Sequence, residues 1–169
     1  RSKIFAEYKA GRSKPPEDFY AQLPILHDLL DAFGWPLYEL DGYEADDIMG
    51  TFARAADEKG DIETCLVTGD YDMMQLISPR TNVYITKKGS ELLHFDDAQF
   101  FAKYGVHVRQ FVDYKALVGD SSDNIPGIRG VGPKAAATLL GQYDTLDGIY
   151  EHVNEQKGAL KTKLEEGKE

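Results

Sequence analysis

Seven carboxylates in three short stretches have the clearest capacity for chemistry in this sequence. They are Glu44, Asp46 and Asp47 in Gly42-Tyr43-Glu44-Ala45-Asp46-Asp47, Asp70 and Asp72 in Thr68-Gly69-Asp70-Tyr71-Asp72, and Asp120 and Asp123 in Gly119-Asp120-Ser121-Ser122-Asp123-Asn124-Ile125-Pro126-Gly127. Each stretch alone has an ordinary explanation: acids complementing a helix N-terminus, a turn after a strand, a polar turn after a helix. Glu44 and Asp47, three apart, share a face if both are helical, with Asp46 pointing elsewhere unless the first turn is irregular. Three such stretches, all at element ends, are harder to dismiss together. Hard oxygen donors without His or Cys favour Mg²⁺ or Mn²⁺ over zinc. A calcium loop beginning at Asp70 fails, because Met74 stands where an oxygen ligand belongs and the required glycine and final glutamate are missing. The chemistry that uses a pair of such ions is phosphoryl transfer. His27, His94, His107 and His152 lie in no motif and read as structural or surface residues, and Cys65, inside an apolar run, reads as core.

A second candidate is the glycine-rich turn Ile128-Arg129-Gly130-Val131-Gly132-Pro133-Lys134 ahead of three alanines. Gly130 and Gly132 let backbone approach a phosphate closely, amide groups at the next helix start can bind it, and Lys134 adds a charge. This is the helix-hairpin-helix pattern of duplex binding without sequence preference. The plain alternative is a helix cap and turn.

These groups need elements to position them. Pro15-Pro16-Glu17-Asp18 predicts a helix start, and Leu23, Leu26, Leu29, Leu30 and Phe33 recur at helical spacing until Gly34. Residues 35–40 read as a short strand, 45–59 as a helix with Ile48, Phe52, Ala55 and Ala56 on one face, 62–68 as a strand and 73–77 as a short helix. Residues 82–86 and 91–95 flank a probable turn as a hairpin. After Asp96 the pattern turns helical over 96–104, 108–118, 133–140 and 145–153, and the Lys/Glu-rich tail reads as a marginal helix or frayed end. Together they predict an α/β fold, a mostly parallel sheet layered by helices, then a helical part. The expected division is a core over 1–113, a DNA-binding part over 114–153 and a charged tail over 154–169.

The chain has 169 residues, 42% hydrophobic and 28% charged, enough for one globular core and too apolar for disorder. No run approaches the roughly 20 apolar residues of a membrane span. A net charge of −10 argues against a passive nucleic-acid binder, but residues 1–14 carry +4 and form a basic arm on an acidic body. Cations bound by the seven carboxylates would offset most of the excess. One cysteine excludes an internal disulfide and fits a reducing compartment. The chain opens on Arg1 rather than Met, which suggests that something precedes it.

Taken in order, Tyr8-Lys9-Ala10-Gly11-Arg12, the three acid stretches and Gly130-Val131-Gly132-Pro133-Lys134 resemble the 5′–3′ exonuclease domain of bacterial DNA polymerases I, within the flap endonuclease family. The resemblance runs from Arg1 to about Tyr150. It implies a 5′ nuclease or PIN-like core whose metal ligands are Glu44, Asp46, Asp47, Asp70, Asp72, Asp120 and Asp123, holding two or more Mg²⁺ or Mn²⁺ ions. It implies that Arg1, Lys9 and Arg12 belong to a gateway for the 5′ single strand, with Arg1 and Lys9 at the scissile phosphate. It also implies that Gly130, Gly132 and Lys134 grip duplex, with a K⁺ ion at the hairpin. The expected substrates are DNA with 5′ flaps, nicks or RNA primers, in the bacterial cytoplasm beside the nucleoid, with a polymerase domain following in the parent chain. The family's opening strand and two further aspartates are absent ahead of Arg1, so these residues alone are expected to cleave slowly. The competing readings are a related PIN-like ribonuclease and a catalytically silent DNA-binding fragment.

Overall fold

The computed structural model of the chain describes residues 5–88 and 90–167. Helix α1 (Glu17–Ala32) starts after an extended Pro16 and carries Glu17 and Asp18 in its first turn, where the helix dipole favours acids. Its leucine stripe does not become core: Leu26, Leu29 and the following Phe33 are exposed, and no residue of α1 is buried. Residues 35–40, expected as a strand, are not one. A strand exists through its hydrogen-bonded ladder, and no described strand lies beside this segment, whose Trp35, Leu37, Tyr38 and Leu40 are exposed. Helix α2 (Ala45–Lys59) ends at Gly60 in the left-handed region, as expected. Its buried residue is Ala53, while Phe52 stays half exposed and meets Tyr38 edge to face at 4.9 Å.

The sheet is small and mixed. Strand β1 (Thr64–Thr68) runs parallel to β2 (Thr81–Thr86), with Leu66 opposite Val83. Strand β3 (Leu92–Phe95) returns antiparallel, with Phe95 opposite Val83. The parallel crossover is a 3₁₀ segment, Tyr71–Leu76, which buries Met73 and Met74. Alternation along β1 turns Leu66 inward and leaves Cys65 exposed, so the cysteine is not core. Thr81 is buried with its hydroxyl on Asp57 of α2, which accepts from Ser78 as well, tying sheet to helix.

The remaining helices are α3 (Asp97–Tyr104), α4 (Phe111–Val118), α5 (Pro133–Tyr143), α6 (Leu146–Glu151) and α7 (Ala159–Glu166). Phe100, Tyr104, Phe111 and Tyr114 interlock α3 and α4, Phe100 meeting Phe111 edge to face at 5.0 Å. Burial pushes the Tyr104 hydroxyl up to about 12. Buried Gln110 donates to the carbonyls of Leu140 (3.0 Å) and Asp144 (2.8 Å), joining the start of α4 to the end of α5. A division at residue 113 would cut α4, whose Phe111, Tyr114 and Leu117 are all core residues. The tail is likewise not frayed: Leu164 of α7 is fully buried.

Between α4 and α5 the chain makes a short antiparallel pair, β4 (Gly119–Asp120) with β5 (Ile125–Pro126). The base of this pair admits no side chain. A Cβ on Gly119, whose φ is +82, would lie 2.4 Å from the Gly127 amide nitrogen, and one on Gly127 would strike the backbone of residues 118 and 119.

Candidate active site

The three acid stretches come to one cleft. A cavity of about 580 Å³ is lined by Glu44, Asp46, Asp70, Asp72 and Asp123, with Tyr8 and Gln75. An adjoining cavity of about 430 Å³ shares Asp70 and Asp72 and adds Asp120, Arg12 and Lys115. Asp47 lines neither. Glu44 is the extended N-cap of α2, and the Asp47 carboxylate accepts its amide at 3.0 Å in a capping box. The condition for Glu44 and Asp47 to share a face is not met, because Glu44 is an extended N-cap and not yet helical. Asp46 is the partner that lines the cleft with Glu44.

Asp70 lies just beyond the carboxyl end of β1. Its Oδ1 accepts the Asp72 amide at 2.8 Å, and its own amide donates to the Thr68 hydroxyl at 3.0 Å. Asp120 is held more tightly. Its Oδ1 accepts from the Ser122 amide (2.8 Å) and hydroxyl (2.6 Å), and its Oδ2 from Lys115 Nζ at 2.7 Å. Burial pushes this carboxyl up, but the contacts with Lys115 and Ser122 outweigh it and hold Asp120 well below the usual carboxylate range. Lys115 Nζ also reaches Asp72 Oδ1 at 2.6 Å. Asp72 shifts the other way: burial, with the charges of Asp120 and Asp70, raises it against the pull of Lys115.

The basic arm folds back onto the same cleft. Lys9 Nζ pairs with Glu44 Oε2 at 2.7 Å, and Arg12 pairs with Asp123. Burial works against the Lys9 charge, but its contacts with Glu44 and Tyr8 raise its pKa overall. The backbone joins in: the Lys9 amide donates to the Asp123 carbonyl at 3.0 Å, and the Asn124 side chain to the Glu7 carbonyl at 3.0 Å. Lys9 and Asn124 both adopt positive φ, 59° and 58°, where these two turns meet. Lys9 and Arg12 thus neutralise acids here rather than pointing into open solvent, and Arg1 lies outside the described residues. Among the described residues no three His, Cys, Asp or Glu side chains form a ready-made ion cage. The donor chemistry nonetheless fits a hard divalent cation, since all the acids are oxygen donors and two already converge on one ammonium.

The glycine-rich turn continues from the acid loop. Ile128 and Val131 are buried, the Val131 amide donates to the Ile128 carbonyl at 2.9 Å, and Gly132 leads into α5 with Pro133 in its first turn. Gly130 needs to be glycine for its φ of +81, and Lys163 of α7 lies over it, Nζ 3.3 Å from the Gly130 carbonyl. Lys134 begins α5 beside this turn.

Sequence reasoning missed Lys115. It stands five residues before Asp120 on the helix leading to it, and only the return of the loop to the 3₁₀ crossover gives that spacing a meaning. Ser122 was visible within its motif, but the hydroxyl contact that fixes Asp120 was not.

Residues 1–105 match the 5′–3′ exonuclease N-terminal resolvase-like domain, and residues 106–169 match the 5′–3′ exonuclease C-terminal SAM fold. The chain belongs to the 5′–3′ exonuclease family. Among relatives of this family, DNA polymerase I of Bacillus subtilis is 44% identical over 176 residues, covering 100% of this chain and 19% of its own length. The thermostable DNA polymerase I of Thermus thermophilus is 39% identical over 169 residues, covering 100% of this chain and 20% of its own. The chain therefore spans about a fifth of these relatives. Solved structures share the fold. A bacteriophage T5 protein co-crystallised with metal ions aligns with TM-score 0.77 and 21% identity over 99% of this chain and 66% of that one. The catalytic core of Rad2 in complex with DNA substrate gives 0.57 and 18% over 92% and 51%. Among the described residues no helix is long and apolar enough to cross a membrane.

Proposed function

We propose that the chain is a structure-specific 5′ nuclease unit that hydrolyses phosphodiesters of DNA carrying 5′ flaps, nicks or RNA primers, within a longer DNA polymerase I-type protein. The observation that carries this reading is the meeting of six carboxylates from three separate elements in one cleft, on a loop that runs on into the glycine-rich turn. Glu44, Asp46, Asp70, Asp72, Asp120 and Asp123 would hold Mg²⁺ or Mn²⁺, which supplies charge neutralisation and a more acidic water for attack on phosphorus. Lys9 and Arg12 flank the acids and would exchange them for the phosphates of the 5′ strand. The turn at Gly130 and Gly132 brings backbone to duplex phosphate, with Lys134 adding one charge. A K⁺ ion would be held at this turn by its backbone oxygens. Bacterial relatives support placement in the bacterial cytoplasm.

A labelled 5′-flap duplex tests this directly. The chain should cleave it in Mg²⁺, leave a 5′-phosphate, and stop in EDTA or with Asp70 and Asp120 both changed to Asn. Duplex binding without cleavage at any metal concentration would favour a silent binding unit, and cutting of RNA alone would favour the ribonuclease. Lys134→Ala should weaken duplex binding about equally for all sequences and lower the salt slope by about one.

A further inference from the structure

Lys115 joins two acids of the cleft, and those acids belong to different elements. Its Nζ lies 2.6 Å from Asp72 Oδ1, on the 3₁₀ crossover, and 2.7 Å from Asp120 Oδ2, on β4. Its Nζ lies 5.7 Å from the centroid of the Phe111 ring, and α4 itself is fixed by the aromatic cluster. The ammonium is therefore delivered by rigid structure, unlike Lys9 and Arg12, which sit on the arm and pair with one acid each.

We infer that Lys115 is a built-in counter-cation for Asp72 and Asp120, standing where a divalent ion shared by these carboxylates would bind and moving out when one does. The inference rests on the metal reading of the cleft. Magnesium requires oxygens at about 2.0–2.1 Å, so an ion bridging the same two oxygens would fall within the space of the ammonium nitrogen. Both cannot be there, and positive charges that close repel strongly at a partly buried site. The arrangement keeps two carboxylates gathered without an ion, and it weakens the ion's binding in return. Lys115 is thus a positioning residue for the acids.

The test uses the whole chain, Mn²⁺ alone as probe, calorimetry for binding and thermal unfolding in EDTA. Removing one positive charge beside the ion should tighten Mn²⁺ binding about tenfold in Lys115→Met. The same variant should melt about 2–4 °C lower in EDTA and regain that loss with Mn²⁺. Lys115→Arg should keep wild-type affinity. If the Met variant does not fold in EDTA, Lys115→Gln carries the binding measurement. Equal or weaker Mn²⁺ binding by the uncharged variants overturns the inference while leaving the metal reading intact, provided Asp120→Asn reduces wild-type uptake. No uptake by wild type, or uptake indifferent to Asp120→Asn, defeats the metal reading and the inference with it.

Discussion

The segment before β1 and the segment from β1 onward treat their apolar residues in opposite ways. Among the described residues, Ala53 is the only buried apolar residue ahead of β1, and all the rest of the core lies from Leu66 to Leu164. Helix α1 has a clear leucine repeat and no buried residue, whereas α7 has two large apolar residues and buries Leu164 completely. Periodicity tells which face of a helix is apolar. Burial needs a second surface to receive that face, and packing supplies most of a helix's stability in a folded protein. The acidic cleft lies along the seam, taking Glu44 and Asp46 from the open side and Asp70, Asp72, Asp120 and Asp123 from the closed one.

The contrast should appear first as an energy difference. Phe100→Ala removes the centre of the aromatic cluster and should cost about 3–5 kcal/mol of unfolding free energy in urea. A loss under about 1 kcal/mol would mean that the closed side is not closed. Gln110→Leu removes the side-chain hydrogen bonds to the carbonyls of Leu140, which keeps the Asp144 amide as a donor, and of Asp144, and about 1 kcal/mol should go. If stability were unchanged, the seal between α4 and α5 would not depend on that side chain.

Asp120→Asn sharpens the comparison at the seam, with a cost of about 1–2 kcal/mol at pH 7. The native Asp120 pKa is depressed, so its contribution is fully present above the ordinary carboxylate range and lost as pH falls through the lower native value. Wild type and variant should therefore differ at pH 7, with the gap narrowing as pH falls below the ordinary carboxylate range; a gap as large at pH 2 as at pH 7 would contradict the ion-pair origin. The smallest effect belongs to the open side, where Leu29→Ser should change stability by less than about 0.5 kcal/mol. A loss above about 2 kcal/mol, or one that depends on protein concentration, would show that this face is covered in solution.

The same contrast explains what could be read from the sequence. Elements whose ends carry their own chemistry were legible: the α1 start at Pro16-Glu17, the α2 stop at Gly60, the β2–β3 hairpin and Pro133 at the start of α5. Residues 35–40 were misread because strand propensity is local while a ladder partner is not. The sequence leaves open which of Asp46 and Asp47 lines the cleft, because one residue of helix phase at an N-cap decides which carboxylate turns to the amides. The docking of α7 could not be foreseen from two leucines, since the groove receiving Leu164 is built by earlier helices. The acid stretches themselves were plain, whereas the cations filling the space between them depended on contacts across 35 and 111 residues of sequence separation.

Gly119 and Gly127 touch backbone to backbone, leaving no slack between the acid loop and the glycine-rich turn that follows. Such a joint behaves like the fixed arm of a caliper. On the nuclease reading proposed above, a duplex clasped at the turn would be presented to the acids at a set remove, so the interval from the clasped phosphates to the severed bond would be counted by the protein rather than by the nucleic acid. Bulk introduced at Gly127 should then blur the position of the cut as well as slow it, leaving a ladder of products where the wild type leaves a single band.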